Sequence, residues 1–310
     1  MYRSTARARH QRATLATGVT LPYVEHGDPA GVPVVLLHGY SDSLHSWELL
    51  LGELPEWLHL FALTQRGHGD ADRPPDGYTP EDFAGDVAAF MDAAGLESAV
   101  VVGHSGGAYA AQRFALDHPG RTLALVLIGA FQDVRGNPDV AALLDGVEEL
   151  TDPVDADFVH EFQASCVSRP LPDGYLDAAV AESRKLPARV WQAYLRAFVA
   201  AEAPTRTGTI GAPTLIVWGD QDAVCRRPDQ DGLVAAIPGA RLVVQPGTGH
   251  CPHWEQPRET AAEIAGFVAR AVAGQSASGS PNHPNTEPSN VTMSATAPPA
   301  TPRTSIAMGV

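Results

Sequence analysis

Between Val100 and Gln112 the chain reads V-V-V-G-H-S-G-G-A-Y-A-A-Q, a serine set among glycines after β-branched residues and before an alanine-rich stretch. A serine hydroxyl is a weak nucleophile until a base takes its proton and an acid orients that base. Residues of these types follow in the order Ser105, Asp222, His250. That is the order of a nucleophile carried on a strand-to-helix elbow. The chemistry would be attack by Ser105 on a carbonyl carbon, with His250 as general base and Asp222 as its orienting acid. The oxyanion that forms needs N–H donors. Gly106 would give one at a helix N-terminus, where negative charge is favoured. The second is expected in the loop His38-Gly39-Tyr40, at the backbone N–H of Tyr40.

Each assignment has a rival. Asp133 follows the apolar run Leu123–Ile128 and is the second candidate for the acid. Asp220 reads as a loop-capping group. His253 competes with His250, but Gly247 and Gly249 suit a tight loop that delivers His250. His104 reads as a packing and hydrogen-bonding neighbour of the elbow, and His38 as a brace for its own loop. His250, Cys251 and His253 match no strong zinc spacing, so no metal is expected. Trp47 and Trp254 read as core residues.

These residues must be positioned by strands and helices. Apolar runs recur at Val32–Leu37, Leu58–Leu63, Ala99–Val102, Leu123–Ile128, Thr214–Trp218 and Leu242–Val244. Runs of this length suit strands buried on both faces of a parallel sheet. Helical patterns lie between them: from Pro80 to near Gly95, from Gly106 to His118, and from Pro257 to Val272. The alternation predicts an α/β fold with a doubly wound, mostly parallel sheet. Ala13 to Glu25, with Gly18 between two β-like runs, predicts an antiparallel hairpin at the sheet edge. From 131 to 211 the alternation stops, and helical patterns such as Ala188–Ala201 predict a helical cap inserted over the sheet. Its Trp191, Tyr194 and Phe198 are expected mainly to seat the cap. The expected organisation is a flexible N-terminus over 1–12, a core over 13–130 and 212–273, the cap over 131–211, and a disordered tail over 274–310. The tail is rich in Pro, Ser and Thr, and its only charged residues are Glu287 and Arg303.

The motifs L-L-H-G-Y, Q-R-G-H-G, G-H-S-G-G, W-G-D-Q-D and G-T-G-H-C-P-H-W-E-Q-P, in this order and spacing, resemble the α/β-hydrolase superfamily. The likeness runs from about Val19 to Ala271 and is to the capped branch with esterases, lactonases, cofactor-free haloperoxidases and C–C hydrolases. It implies Ser105 as nucleophile, His250 as base, Asp222 as acid, and Tyr40 and Gly106 as oxyanion donors, with no cofactor. Haloalkane dehalogenases and epoxide hydrolases carry aspartate where this chain has Ser105, which argues against both activities. The Q-R-G-H-G loop departs from its relatives at Gln65 and Asp70, and Arg66 is expected to brace it.

Composition narrows the function further. The net charge is −15, and an acidic surface repels phosphate backbones, so nucleic acid is not an expected partner. The basic cluster Arg3, Arg7, Arg9 and Arg12 reads as a frayed terminus, with no apolar secretory segment after it. No apolar run is long enough to span a membrane. Three cysteines, Cys166, Cys225 and Cys251, without motif spacing fit a reducing cytoplasm. Asn290-Val291-Thr292 matches a glycosylation acceptor, a short motif that arises by chance. The expected substrate is a small carboxylic ester or lactone, cleaved through an acyl-enzyme. The alternatives are a haloperoxidase or C–C hydrolase using the same site, and a ligand sensor with a hydrolase-like pocket. The sequence assigns no substrate-binding residue and no oligomeric state.

Overall fold

The apolar runs are strands. A computed structural model describes residues 8–278. In it β1 (Arg9–Thr14), β2 (Thr20–Gly27), β3 (Val32–Leu37), β4 (Leu58–Leu63), β5 (Ala99–His104), β6 (Thr122–Ile128), β7 (Thr214–Gly219) and β8 (Arg241–Gln245) form one sheet. Its strand order is β1-β2-β4-β3-β5-β6-β7-β8. β1 pairs antiparallel with β2, and β2 antiparallel with β4; all later pairs are parallel. This is the expected α/β architecture.

The helices are α1 (Glu48–Leu51), α2 (Pro80–Ala93), α3 (Gly106–Asp117), α4 (Pro138–Glu148), α5 (Ala156–Ser165), α6 (Tyr175–Ser183), α7 (Ala188–Ala200), α8 (Pro204–Thr207), α9 (Arg227–Ala236), α10 (Pro252–Glu255) and α11 (Pro257–Ser278). The strands alternate their side chains between two faces. Val35, Leu37, Val101, Leu125, Leu127 and Ile216 pack with α2, α3, α9 and the inserted helices. Val34, Leu36, Val102, Val126, Leu215 and Val217 face the other way, against α1 and α11 with its Ile264, Phe267 and Val268. Burial on both faces is why the central strands read as unbroken apolar runs.

Helices α4 to α8 all lie between β6 and β7. Their N-termini are set locally: Asn137 caps α4, and Asp155 accepts from two backbone N–H groups of α5. Helix α7 turns one apolar stripe, Val190, Trp191, Tyr194, Leu195 and Phe198, into the core.

Two expected boundaries move. Residues 9–12, expected in a flexible N-terminus, belong to β1, with Arg9 on Glu25 and Arg12 on the carbonyl of Asp70. Backbone pairing with β2 holds this strand, whose side chains are largely exposed and carry no apolar signal. At the other end, α11 runs to Ser278, past the expected limit at 273. The readings on Arg3, Arg7, Asn290 and the rest of the tail lie outside the described residues. No helix among the described residues is long and apolar enough to cross a membrane.

Candidate active site

The elbow is built from β5 and α3. Ser105 sits between them with φ 51° and ψ −119°, a conformation strained for a residue with a side chain. Its two flanking glycines are required by contact. A Cβ at Gly103 would lie 2.4 Å from the carbonyl oxygen of Gly107, and one at Gly107 would lie 2.3 Å from the carbonyl oxygens of Leu37 and His38. The turn therefore closes only with glycine at both places. The N–H of Ser105 donates to the carbonyl of Ile128 at 3.0 Å and ties the elbow to β6.

The loops after β7 and β8 bring Asp222 and His250 to the same edge. His250 Nδ1 and Asp222 Oδ2 are 2.9 Å apart. The other carboxylate oxygen, Oδ1, accepts from the N–H groups of Val224 and Cys225, both at 2.8 Å. Ser105, His250 and Asp222 are 9%, 4% and 6% exposed. Burial disfavours the charged imidazole, but the charge and hydrogen bond of Asp222 outweigh it and raise the His250 pKa to about 9. The Ser105 hydroxyl lines the cavity and is not hydrogen-bonded to His250 among the described residues. Such contacts often tighten only when substrate binds.

The rivals fall elsewhere. Asp133 is held by Arg135 and Arg206, away from His250. Asp220 accepts from the N–H of Gly247 at 2.7 Å and shapes the histidine loop. His253 is buried against Trp47 and Ser46. His104 lies 3.1 Å by its Nε2 from the carbonyl of His250 and so donates there, buttressing that loop. His38 donates from Nδ1 to the carbonyl of Gly39 and accepts the N–H of Gln65 at Nε2. Gln65 thus fixes the loop that carries Tyr40. Arg66 forks onto both carboxylate oxygens of Asp86 at 2.6 Å and braces its loop.

A cavity of about 360 Å³ opens over Ser105, between the sheet edge and the cap. Gly39, Tyr40 and Gly106 form its floor beside the serine, and His250 lies at its wall. Phe131, Val140, Leu143, Phe162, Leu195 and Phe198 give it an apolar lining. The cap aromatics divide. Trp191 seats the cap, its carbonyl accepting from the Tyr40 hydroxyl at 2.7 Å, whereas Tyr194 and Phe198 line the cavity. Trp254, read as core, is buried and lines the cavity as well.

Sequence reasoning missed Asp42 and Gln163. Both line the cavity, and the Gln163 amide donates to Asp42 Oδ1 at 3.0 Å, to Ser183 at 2.7 Å and to Ser41 at 3.3 Å. Burial raises the Asp42 pKa to about 6, against the pull of that amide. The one local signal was Ser41, a non-glycine residue with φ 66°, which no sequence pattern reports. Asp222, Cys225 and His250 place their ligating atoms within 4.8 Å of one another. Their donors are committed, however: Asp222 to His250 and two N–H groups, and the Cys225 thiol, held protonated by burial, to the carbonyl of Gly129. This set is a hydrogen-bonded unit that does not suit a metal ion.

An eight-stranded, mostly parallel sheet with helices on both faces is the architecture of a well-defined class of α/β proteins. Residues 32–257 match the family model described as alpha/beta hydrolase fold, and the chain belongs to that family. It is 30% identical over 245 residues to the dihydrolipoyllysine-residue acetyltransferase component of the acetoin cleaving system of Cupriavidus necator, covering 77% of this chain and 64% of that protein. It is 36% identical over 128 residues to a non-heme chloroperoxidase of Streptomyces lividans, covering 41% of this chain and 46% of that one. The chain thus spans less than two thirds of the length of these two relatives. An esterase structure from Rhodococcus sp. ECU1013 superposes with a TM-score of 0.73 at 27% identity, over 84% of this chain and 98% of that one. Other relatives carry the names lipase, haloperoxidase and epoxide hydrolase.

Proposed function

We propose that this protein is a serine hydrolase that cleaves a carboxylic ester or lactone of a small molecule. The observation that supports it most is the buried Asp222–His250 pair, 2.9 Å apart, at the same cavity as the strained Ser105. With Nδ1 engaged by Asp222, Nε2 of His250 is the nitrogen left to take the Ser105 proton. Ser105 Oγ attacks the carbonyl carbon, and the carbonyl electrons move onto oxygen. The N–H groups of Tyr40 and Gly106 stabilise that oxyanion, a large contribution in reactions of this kind. Collapse expels the alcohol, which takes the proton from His250. Water, activated by His250, then releases the acid and restores Ser105. Every step is a proton or acyl transfer among these residues.

Stopped-flow mixing with p-nitrophenyl acetate tests the reading. We expect a burst of p-nitrophenol followed by steady turnover, both abolished in Ser105→Ala. Unchanged turnover in that variant would sink the scheme. The likeness to a chloroperoxidase favours one second reading, peracid formation from a carboxylic acid and hydrogen peroxide at the same serine. It predicts Ser105-dependent perhydrolysis that outpaces ester hydrolysis.

A further inference from the structure

The elbow needs glycine at 103 and 107 because backbone closes on backbone there. Gly106 is a glycine for another reason. The three atoms nearest a Cβ at this position all belong to Tyr194, with the hydroxyl at 2.0 Å and Cζ at 3.1 Å. The volume that a side chain at 106 would fill is occupied by a phenol from the cap helix α7.

That phenol is fixed by its ring and free at its tip. The ring stacks on Tyr40 at 4.8 Å and 23°, and meets Phe83 and His68 edge-on at 5.2 Å and 5.5 Å. Tyr194 is 4% exposed and lines the cavity over Ser105. Its hydroxyl has no hydrogen-bond partner among the described residues. Burial, and then the charge of Asp42, raise its pKa, so the O–H stays a donor. An O–H that lines the cavity without a protein partner can donate to an atom of a bound substrate. The position says which atom that is. The hydroxyl stands at Gly106, in the cavity that Ser105 and Tyr40 also line, so the tip is next to the residue whose backbone N–H is assigned to the oxyanion.

We propose that the Tyr194 hydroxyl is a third donor to the oxyanion formed when Ser105 attacks, which makes Tyr194 a catalytic residue delivered by the cap. This rests on the serine-hydrolase reading above. As the Ser105 Oγ–carbon bond forms and the serine proton passes to His250, the carbonyl electron pair shifts to oxygen. The phenol donates a hydrogen bond to that oxygen and keeps its proton. The bond weakens again when the carbonyl re-forms and the alcohol leaves. Seating of the cap then becomes a condition for catalysis as well as for substrate enclosure.

Tyr194→Phe tests this, because it preserves the ring and removes only the hydroxyl. With p-nitrophenyl butyrate we expect kcat to fall about a hundredfold, the loss typical of one oxyanion donor, with KM changed by less than about twofold and Tm unchanged. A fluorophosphonate, whose phosphoryl oxygen occupies the same place, should label Ser105 correspondingly more slowly. Gly106→Ala should lower stability by collision with the hydroxyl, and Gly106→Ala with Tyr194→Phe should recover stability without recovering kcat. A Tyr194→Phe protein with wild-type kcat and labelling rate overturns this inference and leaves the serine reading intact. Wild-type protein with neither turnover nor labelling dependent on Ser105 overturns both.

Discussion

At the scale of single residues, Asp222 sets the working pH of the proposed base. His250 must be neutral to accept the Ser105 proton, and Asp222 favours its charged form, raising its pKa to about 9. Activity should therefore rise with pH as His250 loses its proton, with a midpoint above the ordinary histidine value of about 6.5. Asp222→Asn removes the charge that raises this pKa, so the rising limb should move to lower pH. The same change frees the imidazole to adopt the wrong tautomer, and kcat/KM should fall by about a thousandfold or more. A pH profile of kcat/KM for both proteins checks the two effects together. An unmoved limb would mean that another group governs it.

At the scale of elements, the loop after β4 carries no assigned chemistry, yet it holds the loop that does. Arg66 forks onto Asp86 of α2 and donates to the carbonyl of Gly77. Gln65 beside it grips His38 through its backbone N–H at 3.0 Å and its amide at 2.7 Å. Replacing Arg66 by Met would leave the carboxylate of Asp86 buried without its counter-ion. Breaking such a pair from one side typically costs about 3–5 kcal/mol. Urea denaturation should show that loss for Arg66→Met, and a smaller one when Asp86→Leu is added. Equal losses would mean that the pair itself contributes little beyond packing.

At the scale of the whole molecule, the cavity exists only where cap meets sheet. Its walls come from β6's loop, α4, α5 and α7 and its floor from the elbow, and they are mainly apolar. Each methylene moved from water into such a lining contributes about 0.8 kcal/mol, or about fourfold in kcat/KM. Among p-nitrophenyl esters, kcat/KM should climb from acetate through butyrate until the volume of about 360 Å³ is filled. Anionic esters should be disfavoured, since the chain carries a net charge of −15 and Asp42 lies in the cavity wall. A flat chain-length profile would place the acyl group outside this cavity.

The sequence by itself determined what depends on neighbours along the chain. The five central strands, β3 to β7, show as apolar runs because both of their faces are buried, and the elbow shows because its turn admits only glycine at 103 and 107. The order Ser105, Asp222, His250 was legible for the same reason, as each residue lies in the connection that follows a strand of the sheet. The edge hairpin of β1 and β2 was legible around Gly18, but residues 9–12 of β1 were not, because a backbone ladder holds them while their exposed side chains carry no pattern. The sequence preferred Asp222 to Asp133, but both follow strands, and only the tertiary structure shows which carboxylate lies beside His250. Only it joined Gln163 to Asp42 and set the Tyr194 hydroxyl over Gly106. Those contacts link residues far apart in sequence and carried by different elements, and their distances are fixed by how the cap packs on the sheet.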